Sequence, residues 1–199
     1  MGEGPDADVT PCGAVVGHEF AGDADFFGAT VARAPSLVSE PMLMILPPDL
    51  RAIMRRAAER PYVKGLTQVG IRNVSSTARD GYEAAREMGA DILSVRQARA
   101  LGAQGVVDRI PKGARVYVTI DIDGFCPSIA PGTGTPSHGG FLYYEVLEML
   151  QGIARSHEVV GIDLVEVAPD YDHSGSTSIL AAQVLLNFLG FIFHARGAR

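Results

Sequence analysis

Two pairs of acidic residues stand at the ends of apolar, β-branched stretches in the second half of the chain. Asp121 and Asp123 close the stretch VYVTIDID, and Asp163 and Glu166 lie in VVGIDLVEVAP. Side chains two residues apart in a strand point to the same side of the sheet. Burying several carboxylates together is costly unless cations neutralise them, and clustered oxygens of this kind suit Mg²⁺ or Mn²⁺. The spacing therefore predicts an acidic site of a kind that suits a divalent metal, although a lone Asp-x-Asp, like Asp163 and Glu166, could equally consist of ordinary residues that cap or pair at loop ends.

A long segment of unusual composition connects the two acidic stretches. PSIAPGTGTPSHGG, residues 127–140, contains three prolines and four glycines and has no periodicity of a helix or a strand. Long loops without secondary structure are uncommon in compact domains, and those that occur are usually functional. Because this segment leaves directly from the Asp121–Asp123 pair, we favour a functional loop over a rigid surface loop.

The elements that must position these residues alternate along the chain. From residue 49 onward the pattern predicts strands at LTQVGI, DILSV, RVYVTIDI and EVVGIDLV, and helices over 49–60, 76–88, 96–110 and 143–156, followed by a last helix. Strands that alternate with helices at this spacing indicate a mostly parallel sheet covered by helices on both faces. Ligands bind beyond the carboxyl ends of the strands in such sheets, which is where the acidic residues lie.

Length and composition limit the class of protein. The chain has 199 residues, 47% of them hydrophobic, a formal net charge of −6 and two cysteines. These values indicate one globular domain and argue against disorder, a nucleic-acid partner and a disulfide scaffold, so the cytoplasm is the expected location. We interpret residues 1–48, which are rich in proline and glycine, as an irregular amino-terminal segment, and 49–199 as the regular part of the domain.

An uncharged, largely apolar stretch lies near the carboxyl terminus. Residues 174–193 contain no charged side chain and are long enough to span a bilayer. Gln183, Asn187 and a start rich in serine and threonine interrupt the apolar character. We therefore predict a buried helix of an α/β domain rather than a membrane span.

Four segments together resemble a known family. TIDIDGFCPSIAPGTGTPSHGG (119–140), GIDLVEVAP (161–169), PDYDHSGSTSILAAQ (169–183) and VGIRNVSS (69–76) are similar to motifs of the ureohydrolases, the arginase and agmatinase family. The APGTGTP form resembles agmatinase and guanidinobutyrase more than arginase. The resemblance covers about Met54 to His194 and implies an arginase-like three-layer α/β/α fold with a mostly parallel sheet.

The resemblance also implies a chemistry and residue roles. Family members use a hydroxide activated by two manganese ions to hydrolyse a guanidino compound such as agmatine or 4-guanidinobutyrate, releasing urea. By position, Asp121 would bridge both ions and Asp123 would chelate one of them. Glu166 would receive the substrate's guanidinium, and Asp163 would support that geometry. The family further implies a trimer or hexamer.

The chain departs from the family pattern upstream. The motifs Gly-Gly-Asp-His and Asp-Ala-His-x-Asp, which supply further metal ligands in the family, are absent, and Cys126 replaces a third acid. The nearest substitute is HEFAGDADF, in which His18, Asp23 and Asp25 are candidate ligands. We therefore expect the amino-terminal part of the fold to be incomplete.

Two alternatives remain open from the sequence. The chain could be a truncated or degenerate family member that binds metal weakly or acts only in assembly. Alternatively, DIDGF after a strand resembles the first motif of haloacid-dehalogenase-like phosphatases, in which Asp121 would be the nucleophile and Asp123 the acid/base. The APGTGTP segment has no role in that second chemistry.

Overall fold

The computed structural model describes residues 29–33, 60–72 and 79–197, and for 29–33 and 79–81 it describes the backbone alone. Strands and helices alternate along these residues. Their bounds are β1 Ala29–Arg33, β2 Leu66–Ile71, α1 Arg79–Glu87, β3 Ala90–Ser94, α2 Val95–Val107, β4 Arg115–Asp121, α3 Tyr143–Ser156, β5 Glu158–Val165 and α4 Ser176–Gly197. Short 3₁₀ turns follow β4, at Ile122–Gly124, and precede α4, at Pro169–Tyr171.

The five strands of the described residues form one sheet in the order β3-β2-β1-β4-β5. β2 pairs parallel with β3, and β4 pairs parallel with β5. β1 lies between the two pairs and runs antiparallel to both β2 and β4. Four strands therefore share one direction, which confirms the mostly parallel sheet, and their carboxyl ends meet at one edge.

β1 is the element that the sequence analysis did not predict. It has only five residues, ATVAR, and it lies in a region whose prolines and glycines obscure any alternation. The other predicted strands are confirmed, and α2 spans Val95–Val107 rather than 96–110. Residues 49–59 of the helix predicted over 49–60, and the upstream residues His18, Asp23 and Asp25, lie outside the described residues.

The core lies between the sheet and the helices α2, α3 and α4. Val116, Val118 and Ile120 alternate along β4 and are fully buried, because β-branched side chains pack well on a pleated surface. Helix α2 packs on α3, and α3 packs on α4. The crossover from β2 to β3 runs across the sheet in the opposite direction to the crossover from β4 to β5. Because both crossovers are right-handed, α1 lies on the opposite face of the sheet from α3. The result is a rigid platform under the carboxyl ends of β4 and β5.

Helix α4 has two apolar faces. Leu180, Val184 and Phe188 face the core, whereas Leu186 and Phe193 are exposed. The prediction of a buried helix is therefore confirmed for one face only. By length and composition α4 could also cross a membrane, because its most apolar 18 residues have a mean hydropathy of 1.7. Only 33% of those residues are buried inside the protein.

Candidate functional site

The predicted acidic pair lies at the carboxyl end of β4. Asp121 is the last residue of the strand, and Asp123 lies in the 3₁₀ turn that follows. Both side chains are only 1% exposed. Oδ1 of Asp121 accepts a hydrogen bond from the amide of Asp123 at 3.0 Å, whereas its buried Oδ2 has no hydrogen-bond partner. A buried carboxylate oxygen left in this state is costly unless a cation or a proton compensates it.

Electrostatics show that Glu166 belongs to the same acidic cluster. Burial raises the pKa of Asp121 well above its usual range, and the negative charges of Asp123 and Glu166 raise it further. Burial and the charge of Asp123 likewise raise the pKa of Glu166. The structure therefore brings together Asp121, Asp123 and Glu166 as an acidic cluster, in which a cation would relieve the mutual repulsion.

Glu166 has a strained backbone. It follows the last residue of β5, its side chain is exposed, and its φ of 64° lies in the left-handed region. A residue with a Cβ pays about 1–2 kcal/mol for this conformation, which persists only where the surroundings impose it. The accessible side chain of Glu166 is therefore held on a constrained backbone immediately after β5.

Asp163 lies further from the edge of the sheet. It pairs in register with Thr119, and its Oδ2 accepts a hydrogen bond from the hydroxyl of Tyr117 at 2.8 Å. The Tyr117 ring has room because Gly161 has no Cβ, an atom that would come within 2.6 Å of the ring. Burial raises the pKa of Asp163, while hydrogen bonds from Thr119 and Tyr117 oppose the shift. This carboxyl group is part of a contact between β4 and β5 below the acidic cluster.

The loop 127–140 closes over the acidic pair. At its base, the amide of Cys126 donates to the carbonyl of Phe141, and the amide of Phe141 donates to the carbonyl of Gly124, both at 2.9 Å. A Cβ on Gly140 would lie 2.6 Å from the Gly124 carbonyl oxygen, so only glycine allows this approach. Within the loop, the hydroxyl of Thr135 donates to Oδ2 of Asp123 at 2.8 Å. The loop therefore contacts the acidic pair, and Thr135 is a residue of the site that the sequence analysis missed.

A second set of hydrogen bonds attaches the loop to α4. The carboxylate of Asp172 accepts from the amide and the hydroxyl of Thr177, at 2.7 and 2.8 Å, in the first turn of the helix. Oδ1 of Asp172 also accepts from the amide and the hydroxyl of Ser174. The oxygen of the Thr177 hydroxyl in turn accepts from the amide of Gly132. The PDYDHSGSTS segment thus joins the loop to the helix terminus.

Arg72 is a further residue at this edge that sequence analysis did not single out. It follows β2, and its guanidinium group donates hydrogen bonds to backbone carbonyls of the turn after β4 and of the loop. One signal could have indicated Arg72. It is a cationic residue directly after a strand, in a protein whose acidic residues also follow two parallel strands.

The described residues supply only part of a metal site. Asp121 fits a divalent cation, because its buried Oδ2 has no hydrogen-bond partner and carboxylate oxygens suit such ions. Nevertheless, no group of three or more His, Cys, Asp or Glu side chains within residues 60–72 and 79–197 could hold a metal ion. Cys126, which replaces the third acid, is a half-buried free thiol.

Comparison with known proteins identifies the family. Residues 48–190, more than half of the chain, match the arginase family. The agmatinase of Bacillus subtilis (strain 168) is 41% identical over 143 residues, which is 70% of this chain and 47% of that protein. The guanidinobutyrase of Pseudomonas aeruginosa is 34% identical over 140 residues, which is 68% of this chain and 43% of that protein.

A solved structure shows the same relationship. The proclavaminate amidino hydrolase from Streptomyces clavuligerus superposes with a TM-score of 0.58 and 38% sequence identity, over 65% of this chain and 42% of that chain. The arginase-like α/β fold predicted from the sequence is thereby confirmed, and the phosphatase interpretation has no support. The chain spans about two fifths of the length of the first curated relatives that it matches. By its motifs, its fold and these matches, this chain belongs to the arginase family.

Proposed function

We propose that this protein is a ureohydrolase that cleaves a linear guanidino compound, such as agmatine or 4-guanidinobutyrate, into urea and an amine. The observation that carries the proposal is the buried Asp121 carboxylate, with Asp123 and Glu166 beside it and one oxygen that has no hydrogen-bond partner. Relatives named agmatinase, guanidinobutyrase and proclavaminate amidinohydrolase support the substrate class.

The reaction balances without a further reagent. Water adds its oxygen to the guanidinium carbon, the bond from that carbon to the substituted nitrogen breaks, and in the net reaction both protons of water end on that nitrogen, which gives urea and an alkylammonium ion. We assign to Glu166 the role of receiving the substrate's guanidinium, because a carboxylate with two oxygens pairs well with a planar cation. We assign to Asp163 the role of holding β5 and β4 in register beneath that carboxylate.

Manganese would be held by Asp121 and Asp123, and it supplies Lewis-acid activation of the attacking water when it is bound. We propose His18, Asp23 and Asp25 as further ligands. An antiparallel register that pairs Val31 with Val118 brings Ala29 level with the end of β4. Ala29 therefore lies at the edge of the sheet where Asp121 lies. Asp25 precedes Ala29 by four residues, and four residues span at most about 14 Å.

A second candidate is a catalytically impaired family protein that acts in assembly or weak metal binding. It is favoured by one observation: the described residues hold no cluster of three metal ligands. The exposed apolar side chains of α4, Ile179, Leu186 and Phe193, are consistent with the homo-oligomer that the family implies.

Metal content and urea release separate the two candidates. The full chain is dialysed against Mn²⁺ and then against metal-free buffer, and bound manganese and urea formed from agmatine and 4-guanidinobutyrate are measured. A ureohydrolase retains manganese and releases urea, and the Asp121→Asn variant loses both. Folded protein that retains no manganese and forms no urea from either compound establishes the second candidate instead.

A further inference from the structure

Arg72 connects two segments of the candidate site through their backbones. Its Nη2 donates to the carbonyl of Asp123 and, at 2.7 Å, to the carbonyl of Ser137. The same nitrogen lies 3.4 Å from the carbonyl oxygen of Phe125, and Nε lies 3.2 Å from that of His138. The turn after β4 and the end of the loop 127–140 are therefore held by one side chain that begins directly after β2.

These bonds control the surroundings of one carboxylate. Arg72 holds the main chain of Asp123 and that of Ser137, and Thr135, two residues before Ser137, donates its hydroxyl to Oδ2 of Asp123. Movement of either segment would change the distance between that hydroxyl and the carboxylate. The guanidinium thus fixes both ends of the contact that orients Asp123.

The chemistry of the donor explains why arginine stands here. A guanidinium group presents five N–H donors in a rigid plane, whereas the ammonium group of lysine is a compact charge with three donors on a flexible chain. The loop 127–140 has no helix or strand of its own to bond its carbonyls, and those of Ser137 and His138 accept from Arg72 instead. A planar donor can serve several carbonyls that converge from two directions, and a lysine can serve only some of them.

We propose that Arg72 is a positioning residue that sets the orientation of Asp123 by holding the Asp123 turn and the loop 127–140 together. It acts through those backbones and does not touch the substrate, whose positive charge it would repel. The inference rests on the proposed function only for its metal-binding and kinetic measurements, because the coupling of the two segments is measurable in the protein without metal.

The test compares Arg72→Gln and Arg72→Lys with Arg109→Gln. Arg109 is a matched control because it makes a bidentate ion pair with Asp91 and belongs to neither segment of the site. The first measurement is hydrogen exchange at the amides of Cys126 and Phe141, which form the base of the loop. The second is the Kd for Mn²⁺, with kcat and KM for the guanidino substrate.

We expect Arg72→Gln to accelerate exchange at both amides at least tenfold and to raise the Kd for Mn²⁺ about 10- to 100-fold. We expect kcat to fall with little change in KM, and Arg72→Lys to recover part of each loss. Exchange that matches Arg109→Gln, or an unchanged Kd in a chain that binds Mn²⁺, overturns the inference. If the wild type binds no Mn²⁺, the proposed function fails, and the exchange comparison alone decides on Arg72.

Discussion

The amide of Gly132 donates a hydrogen bond to the hydroxyl oxygen of Thr177 at 2.8 Å and so connects the site loop to the first turn of α4. The carbonyl of Gly132 accepts from the amide of Ala168 at the same distance, in the segment that follows Glu166. Gly132 is therefore hydrogen-bonded both to α4 and to the segment that follows β5. The loop over Asp123 is held in place at this residue.

Replacing Gly132 by alanine should destabilise the protein by roughly 1–3 kcal/mol, because the new Cβ would lie 2.8 Å from Cβ of Asp172 and 2.9 Å from the Thr177 hydroxyl. Gly134→Ala is the matched control in the same loop, since its Cβ would meet nothing within 4 Å. Urea denaturation measures both variants. Equal midpoints for the two would contradict the close packing described here.

The stability contributed by Asp172 should depend on pH. Its hydrogen bonds with Ser174 and Thr177 hold the pKa of this carboxyl well below its usual range. A depressed pKa in the folded state means that the stabilisation is present above the unfolded value of about 3.9 and is lost as pH falls toward the folded value. Asp172→Asn should therefore lower the urea midpoint strongly at pH 6 and less at pH 3. A difference that is constant between these pH values would show that the charge of Asp172 is not the cause.

Glu166 should reverse the usual preference for alanine over glycine. At φ of 64° a side chain is strained, so Glu166→Gly should be more stable than Glu166→Ala by about 1 kcal/mol. Thermal unfolding measures this difference, and a more stable alanine variant would contradict the left-handed backbone. In an active protein both variants should lose binding of the guanidino substrate, because both lack the carboxylate.

Removing the charge of Asp121 should stabilise the metal-free protein. The carboxylate is buried beside Asp123 and its Oδ2 has no hydrogen-bond partner, so Asp121→Asn relieves a repulsion at nearly constant shape. We expect an unfolding temperature about 2–4 °C higher than that of the wild type, which corresponds to roughly 1 kcal/mol.

Manganese should reverse that order. A ligand present at 100 times its Kd adds about 2.7 kcal/mol to the stability of a protein that binds it, and the variant lacks the ligand oxygen. Thermal unfolding with and without Mn²⁺ therefore gives opposite rankings of the two proteins. A wild type that is the more stable of the two without metal would contradict the cost assigned to the buried carboxylate.

The sequence predicted the elements whose patterns are local and strong. RVYVTIDI and EVVGIDLV are β-branched enough to be strands, and their acidic ends lie together because parallel strands end at one edge. Helix α2 illustrates a limit, because Gly102 adopts φ of 71° and ψ of 170° and interrupts a segment predicted as one regular helix. Propensity alone does not show which glycine adopts such a conformation.

The contacts that complete the site could not be predicted, because they join residues far apart in the chain. Arg72 reaches Ser137 across 65 residues, and Thr177 reaches Gly132 across 45. Neither pair has a periodicity or a spacing rule that relates its members. In each pair one bonding group belongs to the backbone, which every residue carries. The sequence therefore does not show which residue supplies that group.

The antiparallel strand β1 joins the two halves of the sheet that carry the site residues. Arg72 follows β2, whereas Asp121 ends β4, and β1 forms the hydrogen-bonded connection between these strands. Residues 29–33 lie before residue 48, where the match to the family begins. The hydrogen-bonded continuity of the sheet itself, between the half with the arginine and the half with the acids, therefore runs through a segment outside the family match.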